Sequence, residues 1–161
     1  MDQRAAELVK KLGLMPHPEG GLFREIHRSE LLVSPADGRS HRVALTAIYF
    51  LLTEGAVSRW HRVRSDEVWH FYEGSPLTLW ISSPQVERVQ QYSLGPLRDA
   101  QLPVLAVPGG WWQAARTDGD YTLVGCTVGP GFEFSDFAFA ADIPAAAGAL
   151  RAHDAALARL L

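Results

Sequence analysis

The chain has 161 residues, of which 47% are hydrophobic and 20% are charged. A chain of this length is expected to form one globular domain, because it can bury roughly 70% of its unfolded surface. The formal net charge is −3, so the sequence lacks the basic footprint of a nucleic-acid-binding protein. The single cysteine, Cys126, excludes an internal disulfide and a thiolate zinc cluster.

The apolar segments are too short to cross a membrane as a helix. The longest of them, Val43–Leu52, is interrupted only by Thr46 and is far shorter than the roughly 20 residues that a spanning helix needs. The first 14 residues carry charges of both signs and lack the apolar core of a signal peptide. We therefore expect a cytoplasmic protein with no membrane partner.

The N-terminal segment is predicted to be a short helix over residues 2–13. Ala5, Leu8 and Leu12 recur at helical spacing, and Gly13 is suited to end the helix. The sequence His-Pro-Glu-Gly-Gly at residues 17–21 cannot continue a helix and predicts a loop.

From Leu22 to Thr127, short β-rich runs alternate with turn signals. The predicted strands are Leu22–Arg28, Val43–Leu52, Glu67–Tyr72, Leu77–Ser82, Arg88–Tyr92, Val104–Val107, Trp112–Arg116 and Tyr121–Val128. Because no helical pattern separates them, the spacing indicates an all-β sandwich or barrel rather than βαβ units. Residues 143–160 predict a terminal helix, with Asp142 as its cap and Pro144 in its first turn.

Two short patterns carry most of the functional information. In the first, Gly55 is followed by His61, Glu67 and Gly74 within one stretch of the predicted strands. In the second, a Pro-Gly-Gly turn at residues 108–110 is followed three positions later by Gln113. Together they resemble the two motifs of the cupin superfamily. Over about residues 12–142 the order of motifs is similar to the cupin type-five family.

This resemblance implies a cupin jelly-roll β-barrel, also called a double-stranded β-helix, with short helices at both ends. It implies a single cupin domain over residues 1–161, with the barrel at about 20–140 and the flanking helices at about 2–13 and 143–160. It also implies a small-molecule ligand inside the barrel and a homodimer, since a second copy would cover an edge of so small a barrel.

The resemblance also implies where a metal would bind. Metal-binding cupins use four ligand positions, which read His61, Val63, Glu67 and Gln113 in this chain. Valine has no donor atom, so only His61, Glu67 and Gln113 remain to hold a divalent transition metal. An amide oxygen is a weak ligand for such metals, and we therefore expect no cofactor.

His61 and Glu67 are the candidate catalytic residues. Both are expected to point into the barrel, where burial raises the pKa of a carboxyl group and a nearby imidazolium lowers it. Such a pair can act as general base and general acid at a carbon next to a carbonyl. The alternative is that His61 and Glu67 form a hydrogen-bonded network with Gln113 that only satisfies a polar interior.

Other residues are candidates for substrate binding. Strand alternation places Trp69 and Phe71 on the same face as Glu67. They would form apolar walls of a pocket, or they would simply fill the core. Gln113 is expected to contact the substrate from the neighbouring motif. Arg24 can reach a carboxylate or phosphate, unless it pairs with Glu25 or Glu67. In the 17–21 loop, His17 and Glu19 either close one end of the barrel or serve only the turn.

Three functions fit these residues. The first is a metal-independent isomerase or epimerase acting on a sugar-like or polyhydroxylated carbonyl compound through His61 and Glu67. The second is a non-catalytic protein that binds a small ligand in the same pocket. The third is a metal-dependent enzyme in which His61, Glu67 and Gln113 form a degenerate ligand set completed by water.

Overall fold

A computed structural model describes all 161 residues, Met1–Leu161. The strands are β1 (Met15–Pro16), β2 (Leu22–Arg28), β3 (Leu32–Val33), β4 (Arg42–Val43), β5 (Thr46–Thr53), β6 (Val57–Val63), β7 (Asp66–Gly74), β8 (Leu77–Ser82), β9 (Val89–Leu94), β10 (Gln101–Leu102), β11 (Val104–Val107), β12 (Trp112–Thr117), β13 (Tyr121–Gly129) and β14 (Phe137–Phe139). The helices are α1 (Gln3–Leu12), α2 (Pro144–His153) and α3 (Ala155–Ala158). No helix is long and apolar enough to cross a membrane.

The strands form two six-stranded sheets and one small hairpin. The first sheet has the order β1-β2-β5-β13-β7-β11, the second has the order β10-β9-β8-β12-β6-β14, and β3 pairs with β4. Strands that are neighbours in a sheet are mostly distant in sequence, because the chain repeatedly crosses from one sheet to the other. The prediction of an all-β jelly roll with short terminal helices is confirmed.

Apolar side chains fill one part of the space between the two sheets. Phe50 and Trp69 from the first sheet and Leu79 from the second are almost completely buried there. They face each other because alternate residues of a strand point to the same side of its sheet. The rest of this interior is occupied by polar side chains and the candidate site.

Helix α1 covers the outer face of the first sheet. The Asp2 carboxylate accepts a hydrogen bond from the Ala5 amide at 3.0 Å and caps its first turn. Gly13 ends it in the left-handed conformation, with φ of 64°, as the sequence predicts. The apolar face of the helix packs through Leu8 against Leu51 and Leu123 of the sheet.

The C-terminal segment forms two helices instead of the single predicted one. Asp142 does not cap α2, because it lies in a 3-10 turn and Ile143 occupies the cap position without a side-chain hydrogen bond. Asp154 interrupts the helical run, and its carboxylate accepts a hydrogen bond from the Ala156 amide at 2.7 Å to begin α3. Helix α2 packs against the outer face of the second sheet, where Trp60 is fully buried.

A buried charge cluster holds the segment that precedes β14 in place. Asp136 accepts hydrogen bonds from two nitrogens of Arg42 and from one of Arg39, each at 2.9 Å. All three side chains are less than 10% exposed. These hydrogen bonds, the ones from Arg42 above all, lower the pKa of Asp136 below its usual value.

The Asp136 cluster predicts a loss of stability in acid. Because folding lowers this pKa, its stabilisation is present above the unfolded value of about 4 and is lost as the pH falls through the folded value. Denaturation in urea at neutral and acidic pH should show Asp136→Asn to be less stable at pH 7 and to lose less stability in acid than the wild type. The exposed Asp120→Asn is the control, and equal acid losses in the two variants would refute the prediction.

Candidate functional site

A cavity of about 110 Å³ lies between the two sheets beside the apolar core. Its buried end is polar and its outer end opens near β2 and the segment that precedes β14. The lining residues are His17, Glu19, Phe23, Glu25, Arg28, Thr46, Ile48, His61, Val63, Glu67, Cys126, Val128, Phe132, Glu133 and Phe134. The mixture of apolar walls with a few polar groups is typical of a small-ligand site.

Strand alternation brings the polar groups of the two motifs together. On β6, His61 and Val63 point into the cavity, while Trp60 points to the outer face. Gln113 lies opposite His61 in the pairing of β12 with β6. Its amide nitrogen is 3.1 Å from His61 Nε2 and donates a hydrogen bond to Glu67 Oε2 at 2.6 Å. The three side chains are all buried.

The orientation of the Gln113 amide follows from its other neighbour. Trp69 Nε1 lies 2.9 Å from Gln113 Oε1, and an indole nitrogen only donates. The amide oxygen must therefore face Trp69, which leaves the NH₂ group to face His61 and Glu67. Gln113 does not itself line the cavity, so it acts behind these two residues as a positioning group.

The protonation of His61 follows from the same kind of argument. Its Nδ1 is 2.7 Å from the Arg59 carbonyl oxygen, which can only accept, so Nδ1 carries a proton. Burial lowers the pKa of His61, so the ring is neutral and Nε2 presents a lone pair. The ring also stacks on Phe137, with centroids 5.3 Å apart, which fixes its plane.

Glu67 sits at the buried end of the cavity. Burial raises the pKa of this carboxyl group, and the hydrogen bond from Gln113 acts in the opposite direction. The Cys126 thiol lies beside it, and burial raises the pKa of that thiol well above its ordinary value. A buried carboxyl with a raised pKa is a stronger base once it is ionised, which suits it to take up a proton near neutral pH.

A third acidic group, Glu19, reaches the same place from the 17–21 loop. Its Oε1 accepts a hydrogen bond from Ser58 at 2.9 Å, and its Oε2 lies 3.2 Å from His61 Nε2 and 3.5 Å from His17 Nδ1. Nδ1 of His17 accepts a hydrogen bond from the Glu19 amide, and the lone pair of His61 Nε2 faces Glu19 Oε2. This arrangement needs a proton on Oε2. Burial, which raises the pKa of Glu19, acts in the same direction.

The backbone of the loop explains how Glu19 enters the cavity. Gly20 has φ of 111°, and a β-carbon there would collide with the Val57 carbonyl oxygen. The Arg59 amide donates a hydrogen bond to the Glu19 carbonyl at 2.9 Å. The loop thus docks directly on β6 because Gly20 has no side chain. The sequence signal for Glu19 was the glycine pair that follows it, which by itself predicts only a turn.

The structure places all four predicted substrate-binding residues outside the cavity, Gln113 because it lies behind His61 and Glu67. Arg24 points away from it and donates a hydrogen bond to the Leu12 carbonyl at 2.9 Å, because alternation along β2 turns it towards α1. Trp69 and Phe71 share the inward face with Glu67, as predicted, but they belong to the apolar core. The basic side chain at the mouth is Arg28, which the sequence analysis did not single out.

Comparisons with known proteins agree with this fold. The Cupin_5 family model, described as "Cupin superfamily (DUF985)", matches residues 6–140. This chain belongs to that cupin family. A hypothetical protein from Leishmania major is 30% identical over 97% of both chains, with a TM-score of 0.86. A protein from Shewanella oneidensis is 34% identical over 97% of this chain and 96% of the other, with a TM-score of 0.83.

More distant cupins share only the fold. A cupin 2 conserved barrel domain protein from Rhodopseudomonas palustris is 17% identical, and the match covers 92% of this chain and 88% of that protein, with a TM-score of 0.56. No curated protein matches the chain.

The donor set of this cupin does not fit a metal ion. Val63 lines the cavity with an alkyl group at the second ligand position that the resemblance implies, and Gln113 turns its NH₂ group rather than its oxygen towards His61 and Glu67. No group of three or more histidine, cysteine, aspartate or glutamate side chains has a geometry that could hold a metal. The degenerate ligand set of His61, Glu67 and Gln113 is therefore not supported by the positions of its atoms.

Replacing Trp69 tests whether Gln113 is held in place for function. Trp69→Phe removes the only donor to Gln113 Oε1. The amide is then free to rotate, and in the rotated position its oxygen would face the Glu67 carboxylate and repel it. We expect a loss of about 1–3 kcal/mol in unfolding free energy and about tenfold weaker ligand binding in this cupin. Trp112→Phe is the matched control, because that buried indole donates to the Pro84 carbonyl away from the cavity. Equal effects on ligand affinity in the two variants would contradict the positioning role.

Proposed function

We propose that this cupin is a metal-independent isomerase that acts on a small sugar-like or polyhydroxylated carbonyl compound. The observation that carries the proposal is the convergence of Glu67, His61 and Glu19 at the buried end of one cavity. Glu19 contacts His61 Nε2 directly, Glu67 is connected to the same nitrogen through the Gln113 amide group, and all three are at least nine-tenths buried. Glu67 and Glu19 have different hydrogen-bond partners, and this difference suits the two acidic groups to opposite roles in proton transfer.

The reaction needs one base and one acid. Ionised Glu67 takes the proton from the carbon that bears a hydroxyl group next to the carbonyl. The electron pair of that C–H bond forms a carbon–carbon double bond, and the π electrons of the carbonyl move to its oxygen. Glu19 donates its proton to that oxygen, so the intermediate is a neutral enediol.

The second half of the reaction restores both groups. Protonated Glu67 returns its proton to the former carbonyl carbon, and Glu19 recovers a proton from the other hydroxyl group, which becomes the new carbonyl. If the enediol first turned its opposite face towards Glu67, return of the proton to the original carbon would give epimerisation instead. His61 accepts the hydrogen bond of Glu19 and keeps the acid in place, while Ser58 donates to the carboxylate that remains after proton transfer.

Solvent exchange tests this function directly. We would incubate the protein in D₂O with hydroxyaldehydes and hydroxyketones of three to six carbons and follow the carbon-bound protons by NMR. The proposal predicts deuterium at the carbon next to the carbonyl and interconversion of the two isomers. A reaction without protein measures the background rate.

A ligand that binds but does not react would contradict the catalytic part of the proposal. Binding is measured by thermal unfolding, since a ligand at 100 times its dissociation constant adds about 2.7 kcal/mol of stability. A compound that stabilises the protein and is recovered without deuterium would identify a non-catalytic binding protein.

A further inference from the structure

We infer that the ligand of this cavity carries a protonated amine and no acidic group. The inference rests on the proposed function for the reactive end of the ligand and adds the charge of the rest of it. An amino sugar or another amine-bearing hydroxy-carbonyl compound is the class that fits. Phosphorylated and carboxylated sugars are excluded by the same features.

The only lysine or arginine that lines the cavity is already fully paired. Arg28 donates two hydrogen bonds to Glu25, at 3.0 and 2.9 Å, and one to Glu133 at 3.1 Å. It also donates to the Phe132 carbonyl at 3.3 Å. An anionic ligand would have to displace one carboxylate from Arg28 and would still be repelled by the other.

The charge of the lining favours a cation. Glu25 and Glu133 outnumber Arg28, so the mouth has a formal charge of −1. Two further carboxyl groups, Glu19 and Glu67, lie deeper in the same cavity. A protonated amine at the mouth is attracted by Glu25, Glu133 and ionised Glu67, whereas a phosphate or carboxylate there meets only one cation that is already neutralised.

Aromatic rings complete the environment of the mouth. Phe134 is 59% exposed, and its ring lies edge to face with Phe132 at 5.1 Å. Both line the cavity. An ammonium group held between carboxylates and against aromatic faces gains both ion-pair and cation–π contacts. This environment gives no comparable contact to an anion.

Four sugars of the same carbon skeleton separate the possibilities. The probes are glucosamine, glucose, glucuronate and glucose 6-phosphate, and binding is measured by calorimetry or by thermal unfolding at low salt. We expect glucosamine to bind up to about fivefold more tightly than glucose, the upper range for an exposed ion pair. Glucuronate and glucose 6-phosphate should bind more weakly than glucose, and added salt should reduce these differences.

A double variant should reverse this preference for an amine over an anionic group. Glu25→Gln with Glu133→Gln frees the guanidinium of Arg28, so binding of glucuronate and inorganic phosphate should increase by about fivefold while glucosamine loses its advantage. A gain of binding cannot arise from misfolding. The control is Glu7→Gln with Glu73→Gln, which removes two carboxylates from Arg4 at the protein surface and changes the net charge equally.

The outcomes separate this inference from the proposed function. Tighter binding of an anionic sugar than of glucosamine to the wild type would overturn the inference, as would a double variant that gains no affinity for phosphate. Solvent deuterium exchange into neutral hydroxy-carbonyl compounds, with no preference for an amine, would overturn the inference and leave the isomerase proposal standing. If no compound exchanged deuterium but glucosamine still bound more tightly than glucose, the isomerase proposal would fail and the inference would stand.

Discussion

Glu67→Gln is expected to lower the rate of solvent exchange at the substrate carbon by about 10² to 10⁴-fold, the usual contribution of a general base. The substitution keeps the shape of the side chain and an oxygen that can accept the hydrogen bond from Gln113. It removes only the ability to take up a proton. Ligand affinity, measured by thermal unfolding, should change much less than the exchange rate.

The same variant should be at least as stable as the wild type above neutral pH. Burial raises the pKa of Glu67 in the folded state, so ionising it costs stability as the pH rises from the unfolded value of about 4.5 through the folded one. Glutamine has no such cost. Urea denaturation at pH 5 and pH 8 should show a smaller loss of unfolding free energy in Glu67→Gln than in the wild type.

The control for both effects is Glu54→Gln, which changes an exposed glutamate between β5 and β6. It should leave exchange and stability unchanged. If Glu67→Gln retained the wild-type exchange rate, Glu67 could not be the base, and the proposed mechanism would fail at its first step.

Gly20→Ala is expected to have the second largest effect, although residue 20 has no side chain to contact a ligand. Its φ of 111° is unfavourable for alanine, and the new methyl group would collide with the Val57 carbonyl oxygen. The 17–21 loop must then move off β6 and take Glu19 away from His61. We expect a loss of about 3 kcal/mol in unfolding free energy. Solvent exchange should fall about a hundredfold, because the general acid is displaced.

Gly55→Ala separates backbone strain from displacement of the loop. Gly55 also has a positive φ, 77°, but a β-carbon there would meet no atom within 4 Å. This control should cost about 1–2 kcal/mol of stability and leave exchange unchanged. Equal losses of exchange in the two variants would show that the position of Glu19 does not matter.

The sequence predicts the local features of this cupin well. Alternation places Glu67 and Trp69 on one inward face, and a glycine after a helical pattern ends α1 at Gly13, because both depend only on near neighbours in the chain. The resemblance to the two cupin motifs also implies that His61 and Gln113 are close, and the two residues lie opposite each other in the pairing of β6 with β12.

The features that sequence analysis missed depend on contacts between distant segments. Glu19 reaches His61 only because the 17–21 loop docks on β6, which no local pattern reports. Arg24 was preferred to Arg28 because the mouth of the cavity could not be located without the path of β2 and the segment around Glu133. The direction of the Gln113 amide depends on the Trp69 indole, 44 residues away in the chain.

The central claim is that Glu67 and Glu19 act on one ligand inside the cavity. A crystal structure with the compound that gives the largest thermal stabilisation tests it most directly. The account predicts a carbon next to the carbonyl facing Glu67, with the carbonyl oxygen within hydrogen-bonding distance of Glu19 and no metal between His61 and Glu67. A ligand bound outside the cavity, or held by a metal ion at His61, would contradict it.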